Sequence, residues 1–287
     1  MASSARNTSI MSSGNNAPFA GTTSSTIRDY SNLSDTIDLS GNTITNYHTR
    51  MLDGDDNVTL SNVVAGSIWS NKINGNAGRD TITSKVGSLT RDFILGGSED
   101  DTIDLSNSIR GGDWQNGNRG ADTITGADST TMSVLRGGSE DDSIRINTGT
   151  KHIAVGDLGK DTITDFGTGR IVLRTDGDNA ALNPNQADVI IGFAPGFTKM
   201  YIPGVATKAD LNAVDVGGKT YITASKFTNG TTGLRYIACF DGRSVAVVNT
   251  YIASATDSTV GTIADAALAA LNPTTFRNDS NLGNLFD

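Results

Sequence analysis

Seven aspartates share one short phrase, Asp-x-Ile or Asp-x-Val: Asp35, Asp56, Asp80, Asp101, Asp122, Asp142 and Asp161. They are separated by 21, 24, 21, 21, 20 and 19 residues, and a glycine stands five residues ahead of five of them (Gly75, Gly96, Gly117, Gly137 and Gly156). Carboxylates that recur in register can hold a cation, pair with bases or accept hydrogen bonds from turns. If the copies stack at strand spacing, neighbouring carboxylates lie roughly 4.8 Å apart. Unscreened, each adjacent pair would repel by about 3 kcal/mol at an effective dielectric of 20. The column therefore has to be neutralised or hydrogen-bonded.

The elements that would position such a column follow from the rest of each copy. A Gly-rich turn precedes a short strand such as TIT (81 to 83, 123 to 125, 162 to 164), and a return strand follows, as in FIL (93 to 95), SVL (133 to 135) and HIAV (152 to 155). A unit of about 20 residues cannot bury its own apolar face, whereas stacked copies can. The expected fold is all-β, a parallel β-solenoid of the β-roll or β-helix kind with six or seven coils. Its inward column would be Ile37, Val58, Ile82, Ile103, Ile124, Ile144 and Ile163, flanked by Leu39, Leu60, Leu105 and Ile146.

Composition agrees. Of 31 acidic residues among 287, only Glu99 and Glu140 are glutamates, which leaves 29 aspartates beside 33 glycines. Aspartate competes with the backbone and favours turns and caps, so helical bundles are disfavoured. The net charge of −9 would repel phosphate backbones and favours a cation over nucleic acid as a partner. No apolar run reaches the roughly 20 residues that span a bilayer, so membrane insertion is not expected. A lone cysteine, Cys239, with only His48 and His152, forms no internal disulfide and no closed zinc site; its apolar neighbours point to a buried structural thiol.

The turn-and-strand phrases GNAGRDTIT (75 to 83), GGSEDDTID (96 to 104), GNRGADTIT (117 to 125), GGSEDDSIR (137 to 145) and GDLGKDTIT (156 to 164) resemble the RTX, or hemolysin-type, nonapeptide G-G-x-G-x-D-x-U-x. The resemblance implies a β-roll that binds calcium between coils, a metal that takes six to eight oxygen ligands. Carried over, it implies metal ligands at Asp80, Asp101, Asp122, Asp142 and Asp161. The repeat departs from that family's tandem nine-residue spacing, since one copy occurs per roughly 20 residues and only one corner of each coil would be RTX-like. Two residues before the aspartate the chain alternates Gly78, Glu99, Gly120, Glu140 and Gly159, and acidic coils sit between coils carrying Arg79, Arg119 or Lys160. A ladder of salt bridges between coils, or a hydrogen-bonded aspartate turn ladder, would also satisfy the column without metal.

Around the solenoid, residues 1–30 read as a flexible Ser/Asn-rich arm, 31–165 as the solenoid, and 166–204, with its ADVIIGF phrase, as a capping coil. Residues 205–287 read as a small antiparallel meander with one short helix. Gly217-Gly218 and Asp241-Gly242 mark its hairpin turns, the second leading into a strand over 245–251, and TIADAALAALNP supplies the helix before an acidic, apolar tail over 281–287.

Nucleophile motifs, phosphate loops and dinucleotide fingerprints do not occur. The expectation is a non-enzymatic extracellular structural or surface-assembly protein, associating with itself or with a partner protein. Residues 1–21 lack the apolar stretch of a secretory signal peptide, so that setting would be reached without a cleavable one. A virion component, fibre or capsid decoration, suits the same features. A polysaccharide-active β-solenoid enzyme would draw on Asp104 and Asp165 with Arg110 and Arg136, and an ice-binding face on the outward threonines, although Asp104 and Arg145 interrupt that array.

Overall fold

The computed structural model describes residues 26–38, 47–60, 71–89, 92–129, 131–147, 152–166, 169–173, 181–194, 199–202, 204–205 and 207–254. Its chain falls into two compact units, residues 1–139 and 140–287.

In the first unit the two-residue alternation of phrases such as Thr-Ile-Thr decides the fold, because successive side chains of a strand point to opposite faces. One sheet runs through Thr36–Asp38, Asn57–Leu60, Thr81–Ser84, Thr102–Asp104 and Thr123–Thr125, all parallel. The other runs through Thr26–Asp29, Tyr47–Arg50, Asn71–Ala77, Phe93–Ser98, Trp114–Arg119 and Val134–Ser139, also parallel. Chain order alternates between the two sheets, which makes a parallel β-solenoid of about five turns. The first sheet aligns Ile37 with Val58, Val58 with Ile82, Ile82 with Ile103 and Ile103 with Ile124, all buried. Leu60, Leu105, Ile73 and Ile94 complete the same dry interior, while Leu39 lies outside the described residues. The solenoid takes in Thr26–Asp29, the last residues of the expected arm, and Asp29 forms a largely buried pair with Arg50 of the next coil at 2.6 Å.

Gln115 breaks the apolar rule of the core. It is aligned with Ile94 and Leu135, is fully buried, and neither end of its amide meets a hydrogen-bond partner. An unsatisfied buried amide costs on the order of 1–3 kcal/mol, so Gln115→Leu is expected to stabilise the chain by about 1–2 kcal/mol. Urea unfolding should show a raised midpoint with an unchanged slope; a lowered midpoint would mean that the amide is satisfied after all.

The second unit has the same two-sheet grammar. Ser143–Ile146, Thr162–Asp165 and Asp188–Ile191 are parallel neighbours, as are Ile153–Leu158, Arg170–Val172 and Lys199–Tyr201. The 166–204 segment contributes regular rungs, with Ile190 continuing the column of Ile144 and Ile163. Thr232–Phe240 pairs in parallel with Asp188–Ile191 through Ala238, Cys239 and Phe240, and antiparallel with Lys219–Lys226, which pairs in turn with Leu211–Val216. The Gly217-Gly218 hairpin forms as expected, both glycines being left-handed (φ 63° and 81°). Cys239 is buried beside Tyr221.

The strand expected over 245–251 is a helix, Val245–Ser254. The β-branched residues there favour a strand locally, but tertiary packing decides. Ser244 accepts hydrogen bonds from the Val247 amide at its Oγ (3.4 Å) and from the Val248 amide at its carbonyl (3.2 Å). Val248 and Ile252, four apart, are buried on one face. Tyr251 accepts from the Met200 amide (2.7 Å) and packs edge-on against Phe193. The helix expected within 262–273 and the tail lie outside the described residues.

Candidate functional site: the aspartate corner

Within each unit the registered aspartates share one corner, ahead of the strands that carry the Ile column, and every one of them is buried. Their role follows from the backbone. In parallel coils the carbonyl of each aspartate accepts from the amide one residue further along in the next coil, as Thr102 to Asp80 and Thr123 to Asp101, both 2.8 Å. The chain then turns away, and the aspartate's own amide would be left without a carbonyl opposite it. The carboxylate of the next coil supplies the acceptor. Asp35 donates to Asp56 Oδ1 (2.7 Å), Asp56 to Asp80 (2.9 Å), Asp80 to Asp101 (2.8 Å) and Asp101 to Asp122 (2.8 Å).

In the second unit Asp142 donates to Asp161 Oδ1 (2.9 Å) and Asp161 to Asp188 Oδ1 (3.0 Å). Asp188 was missed as a column member; its Asp-Val-Ile phrase was the available signal. Of the alternatives open at the sequence level, the hydrogen-bonded turn ladder is the one these contacts display.

The glycine five residues ahead has a steric reason. A Cβ on Gly75 would collide with Asp80 Oδ2, one on Gly96 with Asp101 Oδ2, and those on Gly117 and Gly156 with the Asp122 and Asp161 carboxyls. The carboxyl group occupies the space the missing side chain leaves.

The alternation of Gly and Glu two residues ahead also has a backbone cause. The turns before Asp56, Asp80, Asp101, Asp122, Asp142 and Asp161 each hold two positive-φ residues, four and two positions before the aspartate. Asn76 is left-handed (φ 76°), the next coil has Gly97 (134°) in its place, and the coil after has Asn118 (80°). At the other position Glu99 is left-handed (79°) and is followed by Gly120 (120°). A Cβ on Gly97 would strike the Asn76 carbonyl, and one on Gly120 the Glu99 carbonyl. From Asn76 to Gly120 two turn conformations therefore alternate, each seating a glycine against the left-handed residue of the coil before it, whereas Leu52 and Gly54 share the turn conformation of Asn76 and Gly78. Glu140 and Gly159 repeat the relation in the second unit.

The basic residues contribute less than expected at the corner itself. Arg79 pairs with Asp100 at 3.1 Å, both well exposed, a contact worth about 0–1 kcal/mol. A second, outer aspartate column uses backbone amides instead: Asp55 accepts from the amide of Arg79 (2.9 Å), Asp100 from Ala121 (3.1 Å) and Asp141 from Lys160 (2.9 Å). Sequence reasoning also missed a column at the opposite corner, where Asp92 donates its amide to Asp113 Oδ1 (2.9 Å) and Asp113 donates to Ser133 Oγ (3.2 Å). The Asp-Phe and Asp-Trp pairs 21 residues apart carried that signal.

Burial dominates the electrostatics. It pushes the carboxyls of Asp56, Asp80 and Asp161 up to about 7 and that of Asp101 to about 8, against the lowering pull of the amide each one accepts from. The charges of adjacent carboxylates push in the same direction as burial, while a side-chain hydrogen bond between Asp56 and Asp80 lowers Asp56 and raises Asp80. Asp188 is raised well above the ordinary range, by burial first and then by the charge of Asp161.

The calcium implied by the repeat needs six to eight oxygens. Oδ1 of Asp56, Asp80, Asp101, Asp122, Asp161 and Asp188 is already bonded to an amide, and the Oδ2 of Asp80 and of Asp101 each borders, with one glycine carbonyl of the following coil (Gly96 and Gly117), the space of a missing glycine Cβ. That donor set falls well short. Among the described residues, no group of three or more His, Cys, Asp or Glu side chains is disposed to hold a metal ion.

The chain matches no protein-family model and no curated protein. Among the described residues no helix is long and apolar enough to cross a membrane.

Proposed function

We propose that this chain is a non-enzymatic structural scaffold, acting outside the cell or at its surface in assembly with copies of itself or with a partner protein. The observation that carries the reading is the fate of the acidic residues: the corner aspartates are consumed in holding one coil to the next. The carboxylates that a polysaccharide-active site would draw on are likewise committed to local structure. Asp104 accepts from the Ser106 amide (2.9 Å), and Asp165 is buried with both oxygens accepting from the Gly169 amide (3.2 Å). The likeness of the repeat to RTX arrays supports the extracellular setting.

The test is to incubate the full chain with acidic polysaccharides and, in parallel, to follow its association state by light scattering across a concentration series. The scaffold reading expects intact polymer and concentration-dependent assembly, alone or on adding material from the producing cell's surface. Depolymerisation that Asp104→Ala abolishes would overturn it.

A further inference from the structure

Hydrogen bonds to Oδ1 leave half of each inner carboxyl unexplained. Oδ2 of Asp101 and of Asp80 is buried, and no donor among the described residues reaches either atom. Both face further acceptors instead. A Cβ on Gly96 would collide with both Asp101 Oδ2 and the Gly117 carbonyl oxygen, and one on Gly75 with both Asp80 Oδ2 and the Gly96 carbonyl oxygen, so each pair of acceptors borders the same vacant point. Two acceptor oxygens that border one dry point repel unless something positive lies between them.

The charged groups around these carboxyls do not provide it. Asp101 is faced by Asp80, Asp122 and Asp100, and Asp80 by Asp56 and Asp55, all acidic. Arg79, the base nearest in sequence, is exposed and held on Asp100. A calcium ion would find two oxygens at a point walled by a glycine Cα, with Oδ1 already taken. A proton needs only two oxygens.

We propose that protons, and not calcium, close this column: in the folded chain Asp101 and Asp80 are neutral carboxyls that donate Oδ2–H to the Gly117 and Gly96 carbonyls of the following coil. The ladder then runs both ways, each carboxyl accepting an amide hydrogen from one neighbour and giving its own to the other. This disagrees with the metal that the repeat resemblance implies, and it stands whether or not the chain is a scaffold.

The raised values of about 8 for Asp101 and about 7 for Asp80 agree with the geometry. An unfolded aspartate loses its proton near about 3.9. Below that pH both states are protonated and the full contribution is present. As pH climbs toward 7 and 8 the unfolded chain releases protons that the folded chain retains, so stability falls, and it levels off above the folded values.

The test uses the full chain, with its aspartate carboxyl carbons followed by NMR through a pH titration and its melting temperature measured in a chelator and in millimolar calcium. The Asp101 carboxyl should titrate near about 8, and the melting temperature should fall between mildly acidic and mildly alkaline pH equally in both media. Asp101→Asn, which supplies an N–H where the proton sat, should flatten that fall. An Asp101 carboxyl titrating near about 4, or a melting temperature that calcium raises and chelation lowers at constant pH, would overturn the proposal. If the Asn variant does not fold, the carboxyl titration of the unaltered chain decides alone.

Discussion

Gly120→Ala should unfold this protein more readily than any conservative change on its surface, with an expected loss of about 3 kcal/mol or more. Two effects combine. Residue 120 sits at φ 120°, outside the left-handed region that a side chain tolerates, which costs on the order of 1–3 kcal/mol. The new Cβ would also strike the Glu99 carbonyl of the preceding coil, and overpacking of this kind costs about 1–3 kcal/mol more. Gly87 is the control. It too has positive φ (71°), but nothing lies within 4 Å of its missing side chain, so Gly87→Ala should cost only about 1 kcal/mol. Denaturant unfolding of the two variants separates the readings: equal losses would show that stacking against Glu99 contributes nothing.

Asp101→Ala is expected to cost about 2–4 kcal/mol, and Asp101→Asn less than about 1 kcal/mol at neutral pH. The alanine removes the acceptor of the Asp80 amide (2.8 Å) and leaves that N–H buried without a partner, on the order of 1–3 kcal/mol, with a void beside Gly96 in addition. Asparagine keeps the oxygen in place. If the corner served only to carry negative charge, the two variants would be equally damaging, so the ratio of their losses in urea unfolding reads the ladder directly.

Much of the architecture was legible because one physical requirement repeats it. Asp-x-Ile in register told both the spacing of the coils and the face that is buried, and the Ile column forms as expected from Ile37 to Ile124 in the first unit and from Ile144 to Ile163 in the second. Gly217-Gly218 was legible because that turn demands positive φ at both positions.

What was not legible depended on contacts between coils. The alternation of Gly78, Glu99, Gly120 and Glu140 looks like a charge pattern, since glutamate is the conspicuous residue; in the fold it is a steric pattern in which glycine is the informative one. Nothing within a single repeat shows that Gly120 lies against the Glu99 carbonyl. Val245–Ser254 was misread because a run of Val, Thr and Ile carries a strand preference, and only Ser244 and the packing of Val248 and Tyr251 reverse it. At the corner, the seven aspartates were legible as a set, but their task was not. The spacing shows that carboxylates stack; it does not show that each has a backbone amide waiting for it.

The central claim is that the carboxylates are structural acceptors between coils. NMR detection of coupling through the hydrogen bond, from the Asp80 amide nitrogen to the Asp101 carboxyl carbon, tests it most directly. The ladder predicts that this coupling, and its counterpart from Asp101 to Asp122, is present in metal-free solution, with both amide protons slow to exchange. Fast-exchanging amides with no coupling, or protection that arises only when calcium is added, would contradict it.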